Sequence, residues 1–416
     1  MTTTSAARLD CDVLIVGGGL VGSALAVALA DTPLRVVLVE STDPAELEQP
    51  SFDARVTALA NGSKRILEAI GLWRAIAVHA EPIDEIHVSE RGRFGAVRIR
   101  AREEGVPALG YTIENRRLGE ALWARLAAAP RCTVLGRASL GEFRHEEGRG
   151  VHAEIERSGE RIEASASVLV AADGARSRVR AALGIASRED AYAQKALILN
   201  CRTERPHGGV AYERFVATGP LAMLPLSGGR VGVIWTLPAE RADAVAALPD
   251  DAFRAELQAT FGYRLGRIER IGRRDLHMLR RVRSDALGSG RVVLVGNAAV
   301  TLHPVAGQGF NLALRDVAAL AELLVDAART SAYDDLAVRY GAWRAADQRN
   351  VALFTHGLVG LFGADVPGFG AVRGLGLAAF DLLPGAKRML ARHTMGLAGR
   401  LPRLARGLPL AAARES

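Results

Sequence analysis

Near its start the chain carries Gly17-x-Gly19-x-x-Gly22, set between an apolar, β-branched run at residues 11–16 and an Ala- and Leu-rich stretch at residues 23–30. The run before the glycines is short and bounded by glycine, which predicts a fully buried parallel strand. The stretch after them predicts a helix, and residues 34–39 predict a second buried strand that ends at Glu40. This is a βαβ unit. Glycines in its first turn let backbone approach a pyrophosphate at the helix N-terminus, and an acid at the tip of the second strand suits ribose hydroxyls. Gly17, Gly19, Gly22 and Glu40 are therefore candidate dinucleotide ligands. The alternative is a Gly-rich turn that holds nothing, and the motif alone does not separate a nicotinamide from a flavin dinucleotide.

Length and composition restrict what surrounds this unit. A chain of 416 residues is long enough for two or three structural units, and 49% hydrophobic with 24% charged residues describes an ordinary globular protein. The net charge of +7 is small for this length, so no nucleic-acid partner is expected. Much of the basic excess lies in the tail, where residues 373–416 hold eight basic residues against two acids. The three cysteines, Cys11, Cys132 and Cys201, form no Cys-x-x-Cys pair, and His277, His356 and His393 lack ligand spacing, so no metal site is expected. Neither a signal peptide nor an uninterrupted apolar run long enough to span a bilayer is evident, which predicts a cytoplasmic protein.

Two further segments carry chemistry. Residues 296–311 read Gly-Asn-Ala-Ala-Val-Thr-Leu-His-Pro-Val-Ala-Gly-Gln-Gly-Phe-Asn and follow a short buried strand at 292–295, with Asp316 on the helix beyond. Small residues let backbone lie against a flat ligand, and a helix starting near Gly309 would turn its free N–H groups toward developing negative charge. The competing explanation is a tightly packed corner. Residues 171–180, Ala-Ala-Asp-Gly-Ala-Arg-Ser-Arg-Val-Arg, follow another strand and read either as a solvated basic turn or as a cofactor contact through Asp173 and Gly174. Between these segments, residues 191–238 show strand signals with turns at Gly208-Gly209 and Gly228-Gly229, which predicts an antiparallel sheet.

In this order and spacing the three motifs resemble the class A FAD-dependent aromatic monooxygenases, relatives of para-hydroxybenzoate hydroxylase. Residues 52–60 (Phe-Asp-Ala-Arg-Val-Thr-Ala-Leu-Ala), Glu213-Arg214-Phe215, residues 219–225 (Gly-Pro-Leu-Ala-Met-Leu-Pro) and Gly296-Asn297-Ala298-Ala299 are most similar to the ubiquinone-pathway branch, in particular the 2-polyprenyl-6-methoxyphenol hydroxylases. Asn297 stands where most of the wider family has Asp, and it agrees with that branch.

The resemblance implies an α/β fold: a Rossmann-like FAD-binding domain with an inserted antiparallel-sheet substrate domain and a C-terminal helical region. Residues 1–75, 111–185 and 286–350 would form the FAD-binding parts, with the last contacting the flavin. Residues 76–110 and 186–285 would form the substrate domain, and 351–416 the basic helical tail. It further implies FAD as cofactor, with NAD(P)H and O2 as cosubstrates, and hydroxylation of a polyprenylated methoxyphenol ring through a C4a-hydroperoxyflavin. FAD would be held by Gly17, Gly19, Gly22, Glu40, Arg55, Asp173, Gly174, Asn297, Gly307, Gln308, Gly309 and Asn311. Pro304 with Gly307, Gln308 and Gly309 would border the reactive edge, and no catalytic base is assigned.

The substrate wall is expected from Tyr212, Phe215, Leu221 and Met223, each of which core packing also explains. For the tail, one face resting on an anionic membrane or a quinone-biosynthesis complex stands beside a simple helical cap. Two other functions stay open at this point: hydroxylation of a small soluble aromatic, and a flavin-binding scaffold of a quinone-biosynthesis complex.

Overall fold

The computed structural model of the protein describes residues 7–43, 55–301, 307–363, 381 and 383–410. Its first layer is a sheet whose parallel centre runs Val292–Leu294, Glu160–Ala171, Ala7–Val16, Val36–Val39 and Cys132–Leu135. Residues 13–16 and 36–39 are buried, because helices cover one face and a meander covers part of the other. That double burial is why these strands read as continuous apolar runs rather than alternating ones. The first half of Glu160–Ala171 pairs in parallel with Ala7–Cys11 on one edge and antiparallel with Gly150–Arg157 on the other, and Gly150–Arg157 pairs in turn, antiparallel, with Ala138–Glu146.

Helix Leu20–Leu29 follows the glycine turn and is buried almost all round, lying between the sheet, Asn115–Ala127 and the long helix Gln308–Thr330. A small sheet of Val56–Ala60, Gly110–Glu114 and Glu81–Ile83 joins this layer to the second.

The second layer is a nine-stranded sheet built on Ser187–Thr203, Val210–Val216, Gly219–Leu226, Arg230–Pro238 and Asp275–Ser284. The expected antiparallel pairing holds for these strands. It gives way at one place, where Val210–Val216 runs parallel to Glu85–Glu90. Local turn signals do not report such long-range pairing.

Strict alternation sorts the side chains of this sheet. One face sends Leu197, Leu221, Met223, Val233 and Trp235 into a core closed by helices Ala239–Ala246 and Asp250–Phe261, through Phe253, Leu257 and Phe261. The other face, carrying Ala196, Ala211, Ala222, Leu224 and Ile234, turns toward the nucleotide layer.

Helices Gln308–Thr330 and Leu336–Gly363 are locked by a buried ionic network. Arg344 Nε donates to Asp316 Oδ1 at 2.5 Å with both side chains only 2% exposed, and Gln348 Nε2 donates to the second carboxylate oxygen at 3.1 Å. Arg344 Nη2 and Arg315 Nε both reach Asp347 Oδ2, at 2.5 and 2.8 Å.

Part of the basic tail is core rather than surface: Leu404, Ala405 and Leu410 are buried among the helices of the first layer, and Arg400 stacks over Trp343 at 4.3 Å. Removing one partner from a buried pair leaves the other charge uncompensated. Asp316→Ala is expected to lower the unfolding free energy by about 3–5 kcal/mol, seen in urea titration as a lower midpoint at unchanged slope.

Candidate active site

The glycine turn has the geometry its motif predicts. Gly17 has φ +103°, and a Cβ there would fall 2.5 Å from the carbonyl oxygen of Ala172; a Cβ on Gly22 would fall 1.9 Å from that of Gly17. The turn thus packs directly on the end of Glu160–Ala171. Gly19 precedes helix Leu20–Leu29 with no side-chain cap, leaving the first N–H groups of the helix to whatever lies in front of them. Glu40 is buried; its Oε2 accepts from the Gly18 N–H at 2.5 Å and its Oε1 from the Thr42 N–H at 2.9 Å. It is held at the tip of the second strand, beside the turn.

Asp173 Oδ2 accepts from the N–H groups of Arg178 and Val179 at 2.9 and 3.3 Å, while its Oδ1 is buried without a partner among the described residues. Gly174 beside it has φ +86°. Arg180 connects this turn to the next segment: its guanidinium donates to the carbonyls of Ala298, at 2.8 Å, and Ala175, at 2.9 Å. The sequence reading passed over Arg180, since a third arginine in a basic turn carries no mark of burial. Asn297 occupies a single 3₁₀ turn, Gly296–Ala298, and exposes its side chain on the cavity.

Helix Gln308–Thr330 begins behind a left-handed Gly307, again with no side-chain cap. Asn311, one turn in, is 1% exposed and fully engaged. Its Nδ2 donates to the carbonyls of Ala58 and Gly307 at 2.8 and 2.7 Å, and its Oδ1 accepts from the Ala60 N–H and Ser63 Oγ, both at 2.7 Å. Asn311 lines the cavity, but its side-chain amide is committed to protein groups, so that side chain sets the position of the helix start. Pro304, like His303, lies outside the described residues, as do residues 52–54 of the similarity to the ubiquinone branch.

These pieces border one cavity of about 910 Å³. Gly19, Arg55, Gly174, Asn297, Gly307, Gln308 and Gly309 form its polar side, and Ile86, Val88, Val97, Ala222, Leu224 and Ile234 its apolar side. Leu390 and Thr394 of helix Pro384–Thr394 also line it, which the sequence reading of the tail did not anticipate.

Of the expected substrate residues, Phe215 lines the cavity and is buried. Tyr212 borders it, but its ring lies edge-on to Phe261 and His87, at 5.4 and 5.6 Å between centroids, on the opposite face of the sheet. Leu221 and Met223 are wholly on that opposite face, in the core with Phe253 and Leu257. The correction is one of parity, since a shift of one residue exchanges the faces of a strand; Ala222 and Leu224 are the cavity residues. Parity also turns Glu213 into the cavity.

Residues 10–355 match the profile of a family described as FAD binding domain. The chain belongs to that family. The cradle at Gly17 and Gly22, the unpartnered Asp173 oxygen and two uncapped helix starts on one cavity all fit an FAD.

This flavoprotein is 38% identical over 413 residues to ubiquinone hydroxylase UbiL of Rhodospirillum rubrum, covering 98% of this chain and 95% of that protein. It is 32% identical over 396 residues to the 3-demethoxyubiquinol 3-hydroxylase of Escherichia coli, covering 93% and 98%. The solved structure of p-nitrophenol 4-monooxygenase PnpA from Pseudomonas putida has the same fold, with a TM-score of 0.78 at 18% identity over 95% of this chain and 99% of that one. Gly22→Ala is expected to yield folded protein without bound flavin, because its methyl group cannot share space with the Gly17 carbonyl; visible absorbance of the purified protein measures this directly.

Proposed function

We propose that the protein is an FAD-dependent monooxygenase that hydroxylates the ring of a polyprenylated methoxyphenol in ubiquinone biosynthesis, with NAD(P)H and O2 as cosubstrates. The observation that carries this reading is the single cavity that passes from the nucleotide cradle to an apolar chamber. At one end lie Asn297 and the 307–309 backbone, and at the other Ile86, Val88, Leu224, Ile234 and Leu390. An aromatic ring placed between them meets the flavin, and an isoprenoid substituent finds aliphatic wall. The curated relatives support the pathway by their names.

FAD, when bound, supplies electron transfer from NAD(P)H and the activation of oxygen. The chain's own residues do the rest. Gly17, Gly22 and the uncapped start of helix Leu20–Leu29 hold the phosphates, and Glu40 is at the ribose. Gly307 and Asn311 hold the start of helix Gln308–Thr330 with its N–H groups toward the flavin ring, where they stabilise added negative charge. The aliphatic wall excludes water and orients the phenol ring.

Among the described residues no helix is long and apolar enough to cross a membrane. Leu353 on helix Leu336–Gly363, Leu383 at the N-cap of helix Pro384–Thr394 and Met389 within it are exposed at 64%, 56% and 67%. These side chains support a peripheral contact through which a lipid-soluble phenol would arrive. Leu383→Glu with Met389→Glu is expected to reduce flotation with anionic vesicles while leaving flavin content unchanged.

The purified holoprotein with a short-chain polyprenyl methoxyphenol, NAD(P)H and air is expected to give a product heavier by one oxygen atom. Equal turnover of the same phenol without its prenyl chain would favour a small soluble aromatic as substrate. Absence of any phenol-stimulated NAD(P)H oxidation would favour a scaffold.

A further inference from the structure

Glu213 is the one carboxylate among the described residues lining the cavity. It sits in the middle of strand Val210–Val216, where the flanking strands place Ala222 and Val88 opposite it, so both cross-strand neighbours are aliphatic. Among the described residues it has neither an ion-pair nor a hydrogen-bond partner, unlike Glu40, Glu114, Asp173 and Asp316, whose carboxylates are each engaged. A carboxylate kept in an apolar wall without a partner is costly unless something that enters the cavity meets it.

We infer that Glu213 is a catalytic residue, the acceptor of the phenolic proton of the substrate during hydroxylation. The inference rests on the monooxygenase reading above and deepens it. When one atom of the activated oxygen bonds to the ring carbon ortho or para to the hydroxyl, the O–O bond breaks, its electron pair leaves with the other oxygen atom toward water, and the ring is left electron-poor. The phenolic O–H bond then breaks, its electron pair becomes the second bond of a ring carbonyl, and the proton bonds to a Glu213 oxygen. Loss of the proton from the attacked carbon restores the aromatic ring as the Glu213 proton returns to the carbonyl oxygen, regenerating the carboxylate. Two electrons from NAD(P)H and two from the ring carbon–hydrogen bond reduce O2, with one oxygen kept in the product and one released as water.

Burial pushes the Glu213 carboxyl up to about 7, removal from water being the cause. The group is then a far better proton acceptor than an ordinary surface carboxylate, and near neutral pH it is matched to general-base work. The other titratable side chains lining the cavity are Arg55, Tyr212, His277 and Arg280. Since the carboxylate is the working form, hydroxylation is present above pH 7 and falls as pH drops through it.

The test compares the unaltered holoenzyme with Glu213→Gln, which keeps shape and a hydrogen-bond acceptor but takes no proton. The probe is a short-chain polyprenyl methoxyphenol. Expected are unchanged flavin content, a dissociation constant for the phenol within about threefold, and product formation reduced by about a hundredfold or more. NAD(P)H consumption would then appear largely as hydrogen peroxide. The unaltered enzyme is expected to show an acid limb near pH 7 in product formation. Product formation within threefold of the unaltered enzyme would overturn the inference, and so would loss of phenol binding by more than tenfold, which would make Glu213 an anchor only. A flat profile of the unaltered enzyme between pH 6 and 8 would overturn it even if the variant failed to fold. Failure of the unaltered enzyme to hydroxylate the probe at all would instead strike the monooxygenase reading itself.

Discussion

The side-chain amide of Asn311 ties together the three segments on which the cavity depends. Through four hydrogen bonds it joins the start of helix Gln308–Thr330 to strand Val56–Ala60 and to Ser63 on the helix that follows. The two bonds to its Oδ1 are buried and the two from its Nδ2 are partly so, and losing a partner of the buried pair would leave a polar group without water or substitute. The left-handed Gly307 therefore has one position relative to the small sheet, with Ala58 close behind it. The start of this helix is held by a side chain whose four hydrogen bonds all go to protein groups.

The glycine turn achieves a comparable precision by a different route. There the constraint is steric: backbone from Gly17, Gly22 and Ala172 meets at distances that admit no side chain. Arg180 then links the loop after Glu160–Ala171 to residues 296–298 through two carbonyls. The glycine turn, the loop after Glu160–Ala171 and the corner at residues 296–298 are thus joined through direct backbone packing and one buried guanidinium. The ionic network at Asp316 and Arg344 holds the same helix from behind, so the layers on both sides of the cavity are set before any ligand enters. Rigid placement of this kind is what oriented oxygen transfer requires, since small misplacements cost large factors in rate.

The opposite wall follows another logic. The nine-stranded sheet uses its alternation to give one face to a packed core under two helices and the other to the cavity. Aliphatic side chains dominate that second face, and Glu213 interrupts it. The contrast between an apolar wall and one unpartnered carboxylate assigns the two demands of the chemistry, exclusion of water and movement of a proton, to neighbouring residues on adjacent strands. Leu390 and Thr394 complete the wall from the far end of the chain, which makes part of the basic tail a component of the cavity rather than an appendage.

What the sequence by itself determined was local and stereochemical. Three glycines between a buried strand and a helix, an acid at the next strand end, and a glycine-flanked helix start each need only short-range rules, and all were legible with their residue numbers. The tail could not be placed from composition, since the same mixture of Leu, Gly and Arg suits a membrane face or a packed cap. The choice of Ala222 and Leu224 over Leu221 and Met223 depends on which face of the sheet is covered, and two amphipathic helices from later in the chain decide that. The structural part played by the Asn311 side chain was not legible, because its partners Ala58, Ala60 and Ser63 lie about 250 residues away. Arg180 and Glu213 each lie in a segment the sequence analysis quoted, yet their roles were not legible there, because burial and the absence of a partner are properties of the folded surroundings. The motif residues obey backbone geometry, which sequence records directly; the residues that shape and charge the cavity obey long-range packing, which only the tertiary structure resolves.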